Sequence, residues 1–400
     1  MSRTWCGGSA RRRAGVVTGA IAVGLAAAGP ALAAGTASSG SAFTGSDLLL
    51  AVSASSGGNA WAVGDYFVGS TGKQLPLIEH WVRGKWRLVS SPAVGGSSGG
   101  YLQSVVALSP SNAWAVGGSR GKALIEHWNG SAWRVVAGAA VRSKNTGTQL
   151  SGVAASSPKS VWAVGSESTP HGLLPLIEHW NGAKWSAVPS PDPGGLAAND
   201  YLTAVTASRA GAWAVGTSAP GNIYRTVVLA LERGKWRQQT SPNPSGLGNW
   251  LGSVSAASTR VLAAGFGGYD NPAAAQTLVM HRSGSVFRLD KTPDPGGLTA
   301  QDELYGVSAT LTGGWAVGRY KAQTLTLTER SGHWIHVASP SWPSPATSIL
   351  EGVTAFGDVA WAVGQYNVDV TTSKGLISVS YSLILRWASG RWTQVPSPNR

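Results

Sequence analysis

Cysteine is almost absent from this sequence, and its scarcity excludes several kinds of chemistry. The only cysteine is Cys6, close to the N-terminus. A chain without Cys6 forms no disulfide, has no thiol nucleophile and offers no cysteine ligand to a metal. Histidine clusters with metal-ligand spacing are missing too. We therefore expect neither a metal nor another cofactor, and we expect a large hydrophobic core to hold the fold together.

Charge is also scarce, at 12% of residues, and it leans to one sign. The formal net charge is +13, and about +9 remains once the four arginines of the N-terminal leader are set aside. This excess favours weak adhesion to anionic surfaces such as wall polymers or acidic glycans. The basic residues are scattered singly and form no known nucleic-acid-binding motif, so no specific nucleic-acid partner is expected.

The first 33 residues have the composition of a secretory signal peptide. A basic leader, MSRTWCGGSARRR, precedes a run of small apolar residues, and ALA at 31–33 is a cleavage signature. We expect cleavage after Ala33, a secreted extracellular protein, and a short linker over 34–47. Glycine and proline interrupt the apolar run, so no membrane span is expected. The general and the twin-arginine export routes both stay open.

A four-part motif recurs seven times along the rest of the chain. Its most visible part is WAVG, with one degenerate copy, LAAG, and the copies begin at Trp61, Trp114, Trp162, Trp213, Leu262, Trp315 and Trp361. A small-residue segment precedes each copy, a segment of the LIEHW kind follows it, and a segment led by Trp or Phe ends the unit. Short apolar segments separated by turn residues predict strands. Seven units of four strands predict an all-β, seven-bladed β-propeller with four antiparallel strands per blade.

The repeat boundaries predict one propeller domain over residues 48–400, in a chain expected to be monomeric. Its blades are predicted at approximately 48–94, 101–143, 149–195, 201–246, 250–298, 303–345 and 349–400. We name the four strands of a blade a to d. Small residues predict that strand a is innermost, and an aromatic followed by polar residues predicts that strand d is the outer edge. The long b–c and d–a connections then share one face of the disc, which we call the long-connection face.

Twelve tryptophans are predicted to pack one blade against the next. They are Trp61, Trp114, Trp162, Trp213, Trp315 and Trp361 in strand b, and Trp86, Trp133, Trp185, Trp236, Trp334 and Trp392 in strand d. Blade 5 has Leu262 and Phe287 at these positions, so we expect it to be the least stable blade. In the simplest phasing no strand is exchanged between the termini, and side-chain packing between blades 7 and 1 closes the ring.

The pentapeptide LIEHW, at 77–81, 124–128 and 176–180, places a carboxylate beside an imidazole three times. Neighbouring residues of a strand point to opposite faces, so Glu79 and His80 cannot converge on one ligand. The glutamate position becomes apolar in the later blades. We interpret the motif as packing; the alternative is that Glu or His side chains from different blades meet across an interface.

The order of the segments resembles the kelch-type propeller repeat. The stretch LSGVAASSPKSVWAVGSESTPHGLLPLIEHWNGAKWSAVPSP at 150–191 follows that order throughout, and the resemblance covers the whole of the expected mature chain. The repeat is also similar to tectonin repeats and to the tryptophan-rich propellers of secreted bacterial proteins. A galactose-oxidase-type activity would need a cysteine cross-linked to tyrosine, and a sialidase-type Asp-box needs an aspartate that NGSAW and SGHW lack. The resemblance therefore implies the fold and neither of these activities.

Aromatic and acidic side chains in the long connections are the candidate ligand-binding residues. The candidates are Tyr66, Tyr101, Asp200, Tyr201, Trp250, Asp302, Tyr320 and Tyr366, and the same connections also offer Tyr224, Tyr269, Glu303 and Trp342. Such rings stack on sugars while carboxylates hydrogen-bond their hydroxyls. The alternative is that the aspartates cap turns and the aromatics shield loop backbones.

No catalytic motif is evident in the sequence. The leading hypothesis is a secreted, non-catalytic propeller that binds a glycan, a cell-wall polymer or a protein partner through its long-connection face. One alternative is an extracellular polysaccharide lyase or hydrolase with carboxylates at the channel mouth, where Asp200 on one side and Asp302 with Glu303 on the other are the candidate acid–base pair. Another alternative is a structural surface protein.

Overall fold

The computed structural model describes residues 46–68, 72–92, 99–139, 147–195, 198–297, 300–372 and 375–399. The predicted signal peptide, 1–33, lies outside these residues, and so does the predicted linker up to residue 45. Within the described ranges no helix has the length and apolar character needed to cross a membrane.

Strands make up nearly all of the regular structure. Blades 1 to 4 contain β1 Ser46–Ser56, β2 Asn59–Val68, β3 Lys73–Val82, β4 Lys85–Leu88; β5 Tyr101–Ser109, β6 Asn112–Ser119, β7 Lys122–Trp128, β8 Trp133–Val135; β9 Thr148–Ser157, β10 Ser160–Thr169, β11 Gly172–Trp180, β12 Trp185–Ala187; and β13 Tyr201–Ser208, β14 Gly211–Ser218, β15 Arg225–Glu232, β16 Lys235–Gln238. Blades 5 to 7 contain β17 Asn249–Ala257, β18 Arg260–Gly267, β19 Gln276–Ser283, β20 Val286–Leu289; β21 Asp302–Ala309, β22 Gly314–Tyr320, β23 Gln323–Arg330, β24 His333–His336; and β25 Thr347–Phe356, β26 Val359–Thr372, β27 Gly375–Ala388, β28 Arg391–Gln394. The 3-10 turns Pro220–Asn222 and Pro272–Ala274 lie in b–c connections.

The described strands form seven four-stranded antiparallel sheets, each in the order a-b-c-d. The first strand of each blade contacts the first strand of the next, and β25 contacts β1, so the a strands form the inner ring. The predicted seven-bladed β-propeller is confirmed. No strand of these sheets is exchanged between the first and last blades.

Every inner strand contains a β-bulge at the same position. A leucine with no exposed surface precedes each bulge, and these residues are Leu49, Leu102, Leu150, Leu202, Leu251, Leu304 and Leu350. The bulge presses the inner backbone against the glycine of WAVG on strand b. A Cβ atom at Gly64 would lie 1.9 Å from the carbonyl oxygen of Leu48, and the six equivalent glycines are as tightly placed. This contact explains why glycine is retained even in the degenerate LAAG copy.

Hydroxyl groups on the inner strands join neighbouring blades. The Ser53 hydroxyl of blade 1 accepts a hydrogen bond from the backbone N–H of Ala107 in blade 2, at 3.0 Å. The Ser255 hydroxyl of blade 5 accepts one from Ala309 in blade 6, also at 3.0 Å. Small polar residues therefore suit strand a for two reasons: they fit the crowded centre, and they satisfy backbone groups of the next blade.

Indole rings fill the junctions between blades, and all twelve of the repeat tryptophans are at most 8% exposed. Between blades 1 and 2, Trp61 packs against Trp128 with ring centroids 4.9 Å apart and meets Trp133 edge to face at 5.1 Å. Equivalent edge-to-face pairs are Trp114 with Trp185, Trp162 with Trp236, Trp315 with Trp392, and Trp361 with Trp86. Each pair joins strand b of one blade to strand d of the next, and each buried ring contributes roughly 1.5–3 kcal/mol of hydrophobic transfer free energy.

The ring closes by the same side-chain contacts that join its other blades. Trp361 of blade 7 lies 4.6 Å from Trp81 and 5.2 Å from Trp86 of blade 1, measured between ring centroids. Beyond β28, the Ser397 hydroxyl donates a hydrogen bond of 2.7 Å to Glu79. Blade 1 therefore meets blade 7 much as it meets blade 2.

Candidate functional site

The three LIEHW glutamates are buried between blades. Each accepts a hydrogen bond from the segment that follows strand d of the preceding blade. The pairs are Ser91 Oγ with Glu126, Ser397 Oγ with Glu79, and Ala139 N–H with Glu178, at 2.7, 2.7 and 2.9 Å. Burial raises the pKa of Glu79 and of Glu126 to about 7, and it raises the pKa of Glu178 as well. These carboxyl groups are acceptors inside a protein interface, and no ligand surface reaches them.

The adjacent histidines lie on the other face of the same strands. His80 stacks on Trp61 of its own blade, with the rings 3.8 Å apart and almost parallel, and its Nε2 is 2.8 Å from Asn59 Oδ1. Burial lowers the pKa of His80. Arg386 takes the histidine position in blade 7, where its guanidinium lies 5.7 Å from the centre of the Trp361 ring. The motif therefore packs indoles and does not form a Glu–His site.

Asp200 and Asp302 close the loops that precede their own blades. Each loop has the sequence PDPGGL and ends at the aspartate seven residues after its last proline. The Asp200 carboxylate accepts the N–H of Gly194 at 2.6 Å, and the Asp302 carboxylate accepts the N–H of Gly296 at 3.0 Å. Neither carboxylate is exposed, and burial raises the pKa of Asp302 to about 6. The structure thus gives both residues a loop-capping role.

Four of the predicted tyrosines lie apart from one another on the long-connection face. Tyr101 donates a hydrogen bond of 3.2 Å to Gln149, and Tyr320 donates one of 2.6 Å to Gln323. Tyr366 stacks between Trp342 and Tyr381, at centroid distances of 4.4 and 5.2 Å. Tyr66 packs against the core between blades 7 and 1. These contacts do not bring the four side chains to one place.

Tyr201 and Trp250, by contrast, belong to one aromatic cluster. The cluster, which we call the aromatic wall, consists of Tyr201, Tyr224, Trp250, Phe266, Tyr269 and Tyr305 from blades 4, 5 and 6. Successive ring centroids are 4.3 Å apart for Tyr224 and Tyr269, 5.8 Å for Tyr269 and Phe266, 5.2 Å for Phe266 and Trp250, and 6.0 Å for Trp250 and Tyr305. Tyr201 hydrogen-bonds to Tyr269, and burial raises its pKa well above the usual range.

The position of the aromatic wall follows from the inner-strand bulges. Trp250 is the second residue of β17, and its indole lies across Gly252 at the bulge, where a Cβ atom would be 2.3 Å from the ring. Tyr305 occupies the bulge of β21. The wall therefore begins where the inner strands of three consecutive blades start, at the mouth of the channel. All its members except Phe266 are half-buried and keep exposed surface.

A charged group lies at the blade 6 end of the wall. Glu303 accepts hydrogen bonds from the Tyr305 hydroxyl and from Arg319 Nε, the second at 2.8 Å. Burial lowers the pKa of Arg319, but Tyr305, Glu303 and Glu351 together hold it above the usual value. Burial and the negative charge of Glu303 raise the pKa of Tyr305 well above the usual value. A tyrosine with a raised pKa is a poor general base, so this group is better suited to hydrogen bonding than to proton abstraction.

Sequence reasoning missed Phe266, Tyr305, Arg319 and Glu351. Phe266 follows the glycine of the LAAG copy, and Tyr305 lies within a segment interpreted only as a small-residue strand. The one available signal was that Phe266 and Tyr305 stand at repeat positions where most other blades have a small or polar residue.

Comparisons with known proteins bear on the fold. No family model matches this chain, and no curated protein sequence matches it. Among solved structures, U3-55K superposes with a TM-score of 0.52 at 12% identity over 79% of this chain and 88% of that one. This likeness supports the β-propeller fold and nothing finer. The kelch-type resemblance stays a prediction from the repeat motif.

Two further structures are similar at lower scores. YjhT has a TM-score of 0.46 at 10% identity, over 72% of this chain and 96% of that one. The β-propeller domain of the Trilobed protease from Pyrococcus furiosus, described as having an open velcro topology, has a TM-score of 0.49 at 9% identity, over 88% of this chain and 98% of that one.

Proposed function

We propose that this protein is a secreted, non-catalytic propeller that binds a polysaccharide at the channel mouth of its long-connection face. The observation that carries the proposal is the aromatic wall, in which rings from blades 4, 5 and 6 pack side by side and all but Phe266 keep exposed surface. The apolar faces of sugar rings stack on such side chains. At the end of the wall, the half-buried Arg319 supplies a donor for hydroxyl groups, and the buried Glu303 holds it in place.

The charged group also favours the second candidate, a polysaccharide lyase or hydrolase. Such an enzyme would use Glu303 and Glu351 rather than Asp200 and Asp302, whose carboxylates accept hydrogen bonds from backbone N–H groups in their own loops. The raised pKa of Tyr305 weighs against its acting as a base, and Glu303 already accepts two hydrogen bonds. We therefore rank binding above catalysis.

The test is a glycan array with the purified protein, followed by titration of the best polysaccharide. We expect Trp250→Ala to weaken binding by roughly tenfold, which corresponds to about 1.4 kcal/mol. Trp342→Ala is the matched control, because Trp342 is a half-buried indole on the same face but outside the wall, and it should change affinity less than twofold. Equal losses in the two variants would contradict the site. Release of oligosaccharides that depends on Glu303 would favour the enzyme, and an array without binding would favour a structural surface protein.

A further inference from the structure

One face of the disc carries a marked excess of exposed cations. The a–b and c–d turns lie at the opposite strand ends from the long connections, and we call the side they form the turn face. Exposed cations of the described residues on the turn face are Arg83, Lys85, Lys159, Lys184, Arg209, Arg233, Lys235, Arg330 and Arg391. Among the described residues the acidic side chains with exposed surface there are Asp358 and the half-buried Glu232. The long-connection face is mixed: acids with exposed surface such as Asp192, Asp270, Asp294 and Asp369 stand beside cations such as Lys73, Arg120, Lys122, Arg225, Arg319 and Lys321.

This excess concentrates a modest net charge on one face of the disc. The excess of cations over anions on the turn face exceeds what the overall charge would provide if it were spread evenly. Clustered cations of one sign attract polyanions and accelerate their association. Blades 3 and 4, which are neighbours, supply five of these cations: Lys159, Lys184, Arg209, Arg233 and Lys235.

Two of the turn-face arginines have a backbone conformation that is costly for a residue with a side chain. Arg83 and Arg233 occupy the tips of c–d turns with φ angles of 54° and 49°. A side chain in this left-handed region costs about 1–2 kcal/mol, and asparagine is the residue that such two-residue turns prefer before glycine. The equivalent turns of blades 6 and 7 have Ser331 and Ser389 at the same position. Arginine is therefore a costly choice for the turn itself.

We propose that the turn face binds a linear polyanion, a polymer with phosphate, sulfate or carboxylate groups along its length. Cations recur from blade to blade, and a repeating array of single charges matches a chain of regularly spaced anions. An anionic membrane fits less well, because Leu311 and Phe356, the exposed large apolar side chains of the described a–b turns, lie in blades 6 and 7, across the ring from blades 3 and 4. Held in this way, the disc would present the long-connection face to a second ligand.

The tripeptide Arg-Gly-Lys allows a matched test because it occurs three times in the same type of turn. Two copies, 83–85 and 233–235, are on the turn face, and the third, 120–122, is a b–c turn on the long-connection face. Arg120 has a φ angle of 53°, close to the values at Arg83 and Arg233. The test variant is R83N/K85Q/R233N/K235Q, and the control variant is R120N/K122Q.

Binding of each protein to polyphosphate, dextran sulfate, polygalacturonate, neutral dextran and anionic lipid vesicles would be titrated over a range of salt concentrations. We expect the unchanged protein to bind at least one polyanion but not neutral dextran, with an affinity that falls as salt rises. The test variant should lose at least tenfold in affinity and show a shallower salt dependence, and the control variant should change less than twofold. The three polyanions distinguish which anionic group is preferred.

Several outcomes would overturn the proposal. They are a failure to bind any polyanion, an equal loss in the control variant, and binding to anionic vesicles without binding to soluble polymers. An unchanged thermal unfolding midpoint would show that the test variant is folded. Trp250→Ala should leave polyanion binding intact, so failure here and failure of the polysaccharide site can be told apart.

Discussion

The junction between blades 1 and 2 and the junction between blades 5 and 6 join equivalent surfaces by different chemistry. In the first, Trp61 is enclosed by Trp128 and Trp133, and Glu126 accepts a hydrogen bond from Ser91. In the second, three positions have changed together. Leu262 stands at the Trp61 position, Leu327 at the Glu126 position, and Glu329 at the Trp128 position, as the strand registers show.

The changed positions are still matched to one another. Glu329 forms an ion pair with Arg260, which lies two residues before Leu262, and Trp334 of blade 6 packs on Leu262 while its Nε1 donates a hydrogen bond of 3.0 Å to Asp290 of blade 5. The contact between strand b of one blade and strands c and d of the next therefore has to be filled. Either an indole triad or an aliphatic contact with an ion pair fills it. Ion pairs near the surface add little stability, so we expect the second junction to be the weaker one.

The largest expected effect is the loss of an indole from the stronger junction. Trp61 has no exposed surface, and Trp61→Ala should cost about 4 kcal/mol of the free energy of unfolding, with Leu262→Ala costing about 2–3 kcal/mol. The reason is that the tryptophan leaves the larger cavity. Urea unfolding of both variants measures the difference. A larger loss for Leu262→Ala would reverse the comparison.

An effect of intermediate size should depend on pH. Burial raises the pKa of Glu126 from its ordinary value near 4.5 to about 7, so folding favours the protonated acid. Below about pH 4.5 Glu126 is protonated in both the folded and the unfolded chain and does not lower the free energy of unfolding. As the pH rises from there to 7, the unfolded chain ionises more readily, and the free energy of unfolding falls by about 3 kcal/mol at most. Glu126→Gln should therefore stabilise the protein at pH 8 and change little at pH 4.5. Thermal unfolding at both pH values measures this, and equal shifts at the two values would contradict it.

The smallest expected effect concerns the closure of the ring. Ser91→Ala and Ser397→Ala each remove one hydrogen bond to a buried glutamate, and each should cost about 1 kcal/mol. The two substitutions control for each other, because one lies within the ring and the other at its closure. If Ser397→Ala were several times more costly, the closing junction would not be equivalent to the others.

The repeats predicted the blades and the junction tryptophans because both depend on residues that recur at fixed spacing. The same spacing indicated that the LIEHW glutamates pack rather than react. Their partners could not be predicted, since Ser397 and Glu79 are 318 residues apart in the chain. A bond of that kind depends on the ring being closed.

The candidate site was predicted less well, for a physical reason. Tyr201 and Trp250 were proposed from their loop positions, but Tyr305 joins them only because the bulge in β21 releases it from the strand pairing. Asp200 and Asp302 were proposed as a catalytic pair from residue type alone, while their hydrogen bonds to Gly194 and Gly296 depend on loop conformation. Bulges and loop hydrogen bonds leave no periodic trace in a sequence.

The inner-strand bulges have a consequence for how such a ring can diversify. The residues they release from pairing are Leu50, Gln103, Ser151, Thr203, Gly252, Tyr305 and Glu351, seven different amino acids following seven identical leucines. Exchange at these positions breaks no cross-strand pair, although the Trp250 indole leaves no room for a side chain at Gly252 and the Thr203 hydroxyl donates a hydrogen bond to the carbonyl of Leu251. The other five positions form a variable inner circle on an invariant frame. A library randomised at those five codons alone would sample new channel chemistries while leaving the scaffold intact.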